Sequence, residues 1–151
     1  MNSAALRRAT SADTAALRRL MSDSNGYERP AARAMITAFA AGWSVPEGDH
    51  EVWLLEADGA VAGFHALIPL GKDLELDLFF TANDAQGTGV GRRLFGAMAD
   101  RARTLGAGRV VISSNPEAAG FYRRMGAVDI GVTPPGDGID WERPKLALNL
   151  A

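Results

Sequence analysis

The sequence predicts an α+β fold in one domain, and three observations support this. Segments with the two-residue alternation of strands stand beside segments with apolar residues at helical spacing. The 151 residues contain no repeat, low-complexity run or linker that would divide the chain. Hydrophobic residues make up 47% and charged residues 23%, as in globular proteins. We therefore expect a single domain over residues 1–151 with its own core.

The first third of the chain predicts a short strand and two helices. The strand covers residues 5–10, and Thr10 with Asp13 forms a variant of the capping box that precedes a helix. This first helix is expected to end near Ser22, where a loop composition begins. A second helix is predicted over residues 30–42, because a proline suits its first turn and a glycine its end.

Three strands are predicted next, over residues 51–57, 60–68 and 73–81. The first two flank Asp58-Gly59, a strong signal for a hairpin turn. Alternation along the third strand predicts that one face is apolar and the other partly polar. The two expected sets are Leu74, Leu76, Leu78 and Phe80 against Glu75, Asp77, Phe79 and Thr81.

The remaining elements are two helices and three strands. A helix over residues 90–105 leads to a strand over 108–114, and Asn115 is expected to cap a helix that ends at Met125. Strands are then predicted over residues 127–132 and 139–150. Because proline cannot donate to a strand ladder, we expect Pro144 to confine the last strand to an edge or a bulge.

Composition excludes several classes of function. The formal charge of −2 argues against nucleic-acid binding, which needs a basic excess. The absence of cysteine excludes disulfides, thiolate zinc sites and a cysteine nucleophile, and two isolated histidines predict no metal site. No apolar run resembles a signal peptide or a membrane span, so we expect a cytoplasmic location.

Three glycines at residues 87, 89 and 91 surround the start of the helix at residue 90, and such loops commonly approach a phosphate. The dinucleotide fingerprint fails, because its third glycine would fall on Arg92 or Leu94. A P-loop fails too, because two arginines follow the last glycine. What remains is Gln-x-x-Gly-x-Gly at a helix N-terminus, where free amides and the helix dipole favour an anion.

This loop resembles the acetyl-CoA signature of the GCN5-related (GNAT) N-acetyltransferases, Arg/Gln-x-x-Gly-x-Gly/Ala. The preceding stretch ELDLFFTANDAQ and the later SSNPEAAGFYRRMGA are similar to the family's neighbouring motifs. The resemblance spans about residues 5–148. It implies a three-layer fold with a mixed, mostly antiparallel sheet of six or seven strands and about four helices. It also implies acetyl-CoA as the donor substrate and no metal.

Residue by residue, the resemblance implies a cofactor site on the strand before the loop, on the loop itself and at the next helix start. Thr88 departs from the basic residue that many family members carry at this position. Arg92 is the better candidate for a phosphate contact, with Arg93 second. The implied cofactor residues are Phe79, Phe80, Thr81, Gln86, Gly87, Thr88, Gly89, Val90, Gly91, Arg92 and Asn115.

In the family, a tyrosine at the Phe-Tyr position acts as the catalytic acid. The resemblance therefore implies that Tyr122 protonates the departing thiolate. Glu75 is the first candidate for the base that deprotonates the amine, with Asp77 or a water as alternatives. The amide near Phe79 is the implied oxyanion donor. His65 is expected to be a hydrogen-bonded packing residue rather than a catalyst. Aromatic and polar residues that can wall the acceptor site are Tyr27, Trp43, His50, Trp141, Glu142 and Arg143.

The resulting hypothesis is transfer of an acetyl group to a primary amine, most simply of a small molecule, by direct attack in a ternary complex. A protein N-terminus is a weaker candidate for the acceptor, and the donor can carry a longer acyl group. A non-catalytic acyl-CoA sensor is the alternative from another class, and a Rossmann nucleotide-binding domain is disfavoured by the glycine spacing. Membrane partners are not expected, and homodimerisation is possible.

Overall fold

A computed structural model describes residues 4–150, and a seven-stranded sheet forms the centre of this part of the chain. The predicted domain ends at residues 1 and 151 lie outside the described residues. The strands are β1 (Ala4–Arg8), β2 (Glu51–Ala57), β3 (Ala60–Leu70), β4 (Asp73–Thr81), β5 (Arg109–Ser113), β6 (Val128–Thr133) and β7 (Arg143–Asn149). They lie in the order β1-β2-β3-β4-β5-β7-β6. The β4–β5 pair is parallel and the other pairs are antiparallel, so the predicted mixed sheet is confirmed.

Helices cover both faces of the sheet and give the three layers that were predicted. They are α1 (Thr14–Ser22), α2 (Pro30–Gly42), α3 (Val90–Thr104) and α4 (Ala119–Arg124). One core cluster joins α1 and α2 to the sheet and includes Leu17, Ile36 and Phe64. The other joins α3 and α4 to the opposite face and includes Met98 and Tyr122. Within the described chain, every helix is too short or too polar to cross a bilayer.

Local signals set the ends of several elements as predicted. The amide of Thr10 donates to the Asp13 carboxylate at 2.8 Å, in the short 3-10 turn before α1. Pro30 is the first residue of α2. At the β2–β3 turn, Asp58 and Gly59 have φ angles of 53° and 80°, which are left-handed values that Asp and Gly tolerate.

A β-bulge at Asp77 divides β4 into two parts that face opposite ways. Leu76 pairs with Leu67 and Leu78 pairs with Ala66, so Asp77 is an extra residue between two consecutive pairs. Apolar residues before the bulge join the cluster under α3 and α4, and those after it join the cluster under α1 and α2. The predicted uninterrupted alternation is therefore wrong, because one inserted residue exchanges the two faces of a strand.

The last strand also differs from its prediction. It begins at Arg143 instead of residue 139, and it lies between β5 and β6, so the predicted edge position of Pro144 is wrong. Pro144 is tolerated because it is the second residue of the strand, and its carbonyl accepts from Ser114 N at 2.8 Å. The neighbouring strand β6 carries a register shift between Asp129 and Gly131.

Candidate active site

A cleft opens where the two parallel strands separate. β4 and β5 pair only at their first residues, where Glu75 lies beside Val111. β4 then continues along β3 to Thr81, while its other edge has no ladder partner among the described residues. The resulting cleft has a volume of about 560 Å³, within the usual range for small-molecule sites. A free strand edge can bind an extended ligand through main-chain hydrogen bonds.

The glycine loop lies at one end of this cleft. Gly87 and Gly89 have φ angles of 81° and 88°, which L-residues adopt at a cost, and a Cβ on either would meet no atom within 4 Å. Gly91 serves a different purpose, because a Cβ there would lie 3.3 Å from the Phe121 ring. The first two glycines therefore shape the loop, and the third lets α3 pack against α4.

Most of the residues predicted to contact the cofactor line this one cleft. Thr88 and Val90 do not, and the Thr88 hydroxyl instead donates to the carbonyl of Ala85. Arg93 is also outside it and donates to the carbonyl of Ala4 at 3.3 Å. The predicted residues that line the cleft are Phe79, Phe80, Thr81, Gln86, Gly87, Gly89, Gly91, Arg92 and Asn115.

A bridging segment, residues 24–27, connects the two sides of the cleft, and only its Tyr27 was expected from the sequence to border the site. Asn25 exchanges side-chain amide hydrogen bonds with Gln86 at 2.9 and 3.2 Å. On the other side, Asn115 Nδ2 donates to the carbonyl of Gly26 at 2.8 Å. Tyr27 stacks on Phe80 with the ring centroids 5.5 Å apart. The hydrogen bonds of Asn25 and Gly26 could not be predicted from the sequence, because their partners are distant in the chain.

Asn115 stands at the start of the 3-10 turn before α4 but does not cap it. Its side chain makes no cap hydrogen bond, so the predicted capping role is wrong. Its Oδ1 is buried and has no hydrogen-bond partner among the described residues. Since Asn115 lines the cleft and buried polar atoms are normally paired, this acceptor is suited to a ligand N–H.

Tyr122 is held by an aromatic cluster on the α3–α4 side. Its ring lies 6.0 Å from Phe79, 6.2 Å from Phe95 and 5.5 Å from Phe121 between centroids. The residue lines the cleft and is 7% exposed. Burial, with Tyr27 nearby, raises the pKa of Tyr122 far above its usual value, so its hydroxyl stays protonated at neutral pH. A protonated hydroxyl group is therefore held on a residue that lines the cleft.

The two candidate bases occupy different positions because of the bulge. Asp77 lines the cleft, whereas Glu75 is half-buried and lies on the face opposite α3 and α4. Burial and then the Asp77 charge raise the pKa of Glu75. Burial also raises the pKa of Asp77, and the charge of His50 opposes this rise. The pKa of each carboxyl group is therefore shifted in the direction that suits a base near neutral pH.

Two arginines give the cleft a positive rim. Arg92, which was predicted, and Arg124, which was not, both line it. Arg123, the neighbour of Arg124, forms an ion pair with Asp129 at 2.8 Å. The Arg-Arg pair in the α4 motif was the available signal, but the sequence does not say which arginine faces the cleft. Among residues 4–150, no cluster of three acidic or histidine side chains is placed to bind a metal.

Other predicted residues lie away from the cleft. His65 pairs in register with Trp53 and Phe79 and is 0% exposed. Neither ring nitrogen has a hydrogen-bond partner in the described chain, so His65 is a packing residue but the predicted hydrogen bond is wrong. Burial lowers the pKa of His65 to about 4. Trp43 packs on Phe64, with the ring centroids 6.0 Å apart.

Comparison with known proteins agrees with this geometry. Residues 23–147 match the acetyltransferase (GNAT) domain family. A protein from Desulfovibrio desulfuricans assigned to the GNAT family has a similar crystal structure, with a TM-score of 0.78, 18% identity and coverage of 99% of this chain and 100% of that one. The ribosomal-protein-S18-alanine N-acetyltransferase of Escherichia coli has a TM-score of 0.74 and 17% identity, with coverage of 100% of this chain and 95% of that one.

A GNAT family acetyltransferase from Elizabethkingia anophelis, crystallised with acetyl-CoA, gives a TM-score of 0.69 at 16% identity, with 97% of this chain and 98% of that one covered. At these identities the structural similarity establishes the fold. No curated protein sequence matches the chain significantly. The family match covers most of the chain and includes the glycine loop, the cleft and Tyr122. The protein therefore belongs to the GNAT family of acetyltransferases.

Proposed function

We propose that this protein transfers an acetyl group from acetyl-CoA to a primary amine of a small molecule, by direct attack in a ternary complex. The observation that carries the proposal is the convergence of three features on one cleft: a free edge of β4, the glycine loop and the Tyr122 hydroxyl. A cofactor-binding module alone needs no proton donor held in place by three rings. The absence of cysteine leaves no thiol to carry a covalent intermediate.

The donor binds with its pantetheine arm along β4 and its pyrophosphate at the glycine loop. Arg92 and the loop amides neutralise the phosphates, and the free edge from Leu76 to Thr81 supplies main-chain groups for the arm. The N–H near Phe79 is the proposed donor to the thioester oxygen. This arrangement brings the thioester between β4 and β5, on the side where Tyr122 lies.

The chemistry is an acyl transfer. The amine nitrogen attacks the thioester carbonyl, a C–N bond forms, and the resulting oxyanion is stabilised by the main-chain N–H. The C–S bond then breaks, and Tyr122 donates its proton to the departing thiolate. The amine loses a proton to Glu75, directly or through water, or to Asp77. Glu75 is favoured by its raised pKa and Asp77 by its position in the cleft.

Matched substitutions distinguish the two carboxylates. Glu75→Gln and Asp77→Asn each remove one charge with little change in shape. Loss of the base is expected to lower kcat by about 10²–10⁴-fold and to remove the acidic limb of the pH–rate profile. The other variant is expected to alter mainly KM. If both substitutions have equally small effects on kcat, neither carboxylate is the base and water accepts the amine proton.

The proposed function is tested in two stages. Acetyl-CoA and free coenzyme A are each expected to raise the melting temperature, because a ligand that binds only the native state stabilises it. A panel of amines is then screened with acetyl-CoA for release of free thiol, with enzyme-free and amine-free controls. Cofactor binding without thiol release for any amine would favour a sensor, and no thermal shift with either compound would refute the proposed cofactor site. Cytoplasmic location and the preference for a small acceptor stay predictions.

A further inference from the structure

Two cationic residues lie on the face of β7 that points away from α3 and α4. Leu146 and Leu148 belong to the core cluster under those helices, so Arg143 and Lys145, which alternate with them, face the other side. β5 and β7 pair without a register shift, and Lys145 lies opposite Ser113, which lines the cleft. The two cations therefore lie on the sheet face opposite the Tyr122 aromatic cluster, next to the cleft residue Ser113 but outside the lining of the cleft itself.

Within the described part of the chain, neither of these cations is paired with a carboxylate. Arg29, Arg101, Arg109 and Arg123 all have carboxylate partners within 4 Å. No such partner exists for Arg143 or Lys145 among the described residues. Moreover, Arg143 Nε and the neighbouring Trp141 Nε1 are buried and have no hydrogen-bond partner in that part of the chain. Buried donors are normally paired, so these two unpaired N–H groups, two residues apart in the sequence, indicate a missing acceptor.

The electrostatic field of these cations reaches the acceptor side of the site. Burial and the Asp77 charge raise the pKa of Glu75, and both cations oppose that rise. Burial and the charge of Glu117 raise the pKa of Tyr27 to about 12, and Arg143 again opposes the rise. Tyr27 lines the cleft, so the charge of Arg143 acts on a cleft residue as well as on Glu75.

We propose that Arg143 and Lys145 bind an oxyanion of the acceptor, so that the acceptor is an amine that also carries a carboxylate or a phosphonate-like group. This inference rests on the proposed function and deepens it. Glu75 and Asp77 attract the amino end of such a molecule, and the two cations attract its anionic end. A polyamine, by contrast, brings further positive charge towards Arg143 and Lys145 and is disfavoured.

The test compares acceptors that differ only in the anionic group. Amino acids, their decarboxylated amines and their aminophosphonate analogues are assayed for thiol release from acetyl-CoA. Anionic acceptors are expected to exceed their neutral counterparts in kcat/KM by about tenfold or more, since charge-assisted hydrogen bonds are the strong ones. The carboxylate and phosphonate series then identify which oxyanion is preferred. Equal rates for neutral and anionic acceptors would overturn the proposal.

Variants locate the effect. Arg143→Gln and Lys145→Gln are expected to raise KM for the anionic acceptor about tenfold and to leave KM for the neutral analogue unchanged. Arg109→Gln is the matched control, because Arg109 is also a strand cation but pairs with Asp73 at 3.0 Å. Equal losses on both acceptors, or a similar loss in the control, would contradict the assignment.

A binding measurement separates failure of this inference from failure of the proposed function. N-acetylated amino acids and the corresponding neutral acetamides are titrated into the protein saturated with coenzyme A, with the melting temperature as the readout. If no amine is acetylated but the anionic products stabilise wild type and not Arg143→Gln, the anion site stands and the proposed function fails. If neither series binds differentially, the anion site is overturned.

Discussion

Burial of His65 predicts that stability falls as the pH is lowered. Unfolded histidine has a pKa near 6.5, and burial lowers the pKa of His65 to about 4 in the folded state. Between these values the unfolded chain binds the proton and the folded chain does not, so the free energy of unfolding decreases as the pH falls. The difference amounts to about 2 kcal/mol at pH 5 and about 3 kcal/mol at pH 4.

The assay is urea unfolding at several pH values between 7.5 and 4 for wild type and His65→Leu. Leucine has a similar volume and removes both unpaired ring nitrogens, so the variant is expected to be at least as stable as wild type at pH 7.5. Its advantage should grow by about 3 kcal/mol down to pH 4. Hydrogen bonds from Arg7 and Arg101 lower the pKa values of Asp13 and Glu51 to about 2, so these carboxylates titrate mostly at lower pH.

His50→Leu is the matched control, because His50 is the chain's other histidine and is exposed. It is expected to retain the pH dependence of wild type. A His65→Leu variant whose stability runs parallel to wild type from pH 7.5 to 4 would refute the argument. In that case His65 would have to be solvated or paired in solution.

Three further substitutions and one control variant, Gly96→Ala, test the site and its support. Tyr122→Phe is expected to lower kcat by about 10²–10⁴-fold while the melting temperature is retained, because the ring contacts remain; an unchanged kcat would assign the proton to another group. Gly89→Ala is expected to weaken coenzyme A binding about tenfold in calorimetry, since a left-handed φ of 88° costs alanine about 1–2 kcal/mol. Gly96→Ala, on the exposed side of α3, should leave binding intact and raise stability by about 1 kcal/mol. Gly63→Ala places a Cβ 2.8 Å from the carbonyl oxygen of Phe80 and is expected to destabilise the fold by about 1–3 kcal/mol in urea unfolding, and a stability equal to wild type would show that β3 can move at no cost.

Much of the fold followed from local sequence. The hairpin at Asp58-Gly59, the start of α2 at Pro30 and the start of α3 at Val90 depend on backbone preferences of a few adjacent residues. The glycine spacing excluded two phosphate-binding motifs for the same reason, since each motif requires particular residues at short, fixed distances. These inferences survive because turns, caps and first helical turns are determined within a few residues.

The arrangement of the site depended on contacts between distant segments. The bulge at Asp77 arises from how β4 pairs with β3, and it separates the two carboxylates that simple alternation placed on one face. The separation of β4 from β5 beyond Glu75 creates the cleft. The sequence of either strand alone does not show where their hydrogen-bonded pairing ends. Asn115 was singled out from the sequence and lines the cleft, but its side chain bonds to the Gly26 carbonyl, from a segment far away in the chain, instead of capping its helix.

The sequence by itself therefore determined which elements form and where the glycine loop leads into α3, because these depend on short-range backbone geometry. Tertiary structure alone decided which carboxylate faces the cleft and which arginine of the α4 pair reaches it. It also decided that Arg143 Nε is buried with no hydrogen-bond partner among residues 4–150. Those outcomes depend on strand register and on the crossing of segments, where a shift of one residue exchanges the two faces of a strand.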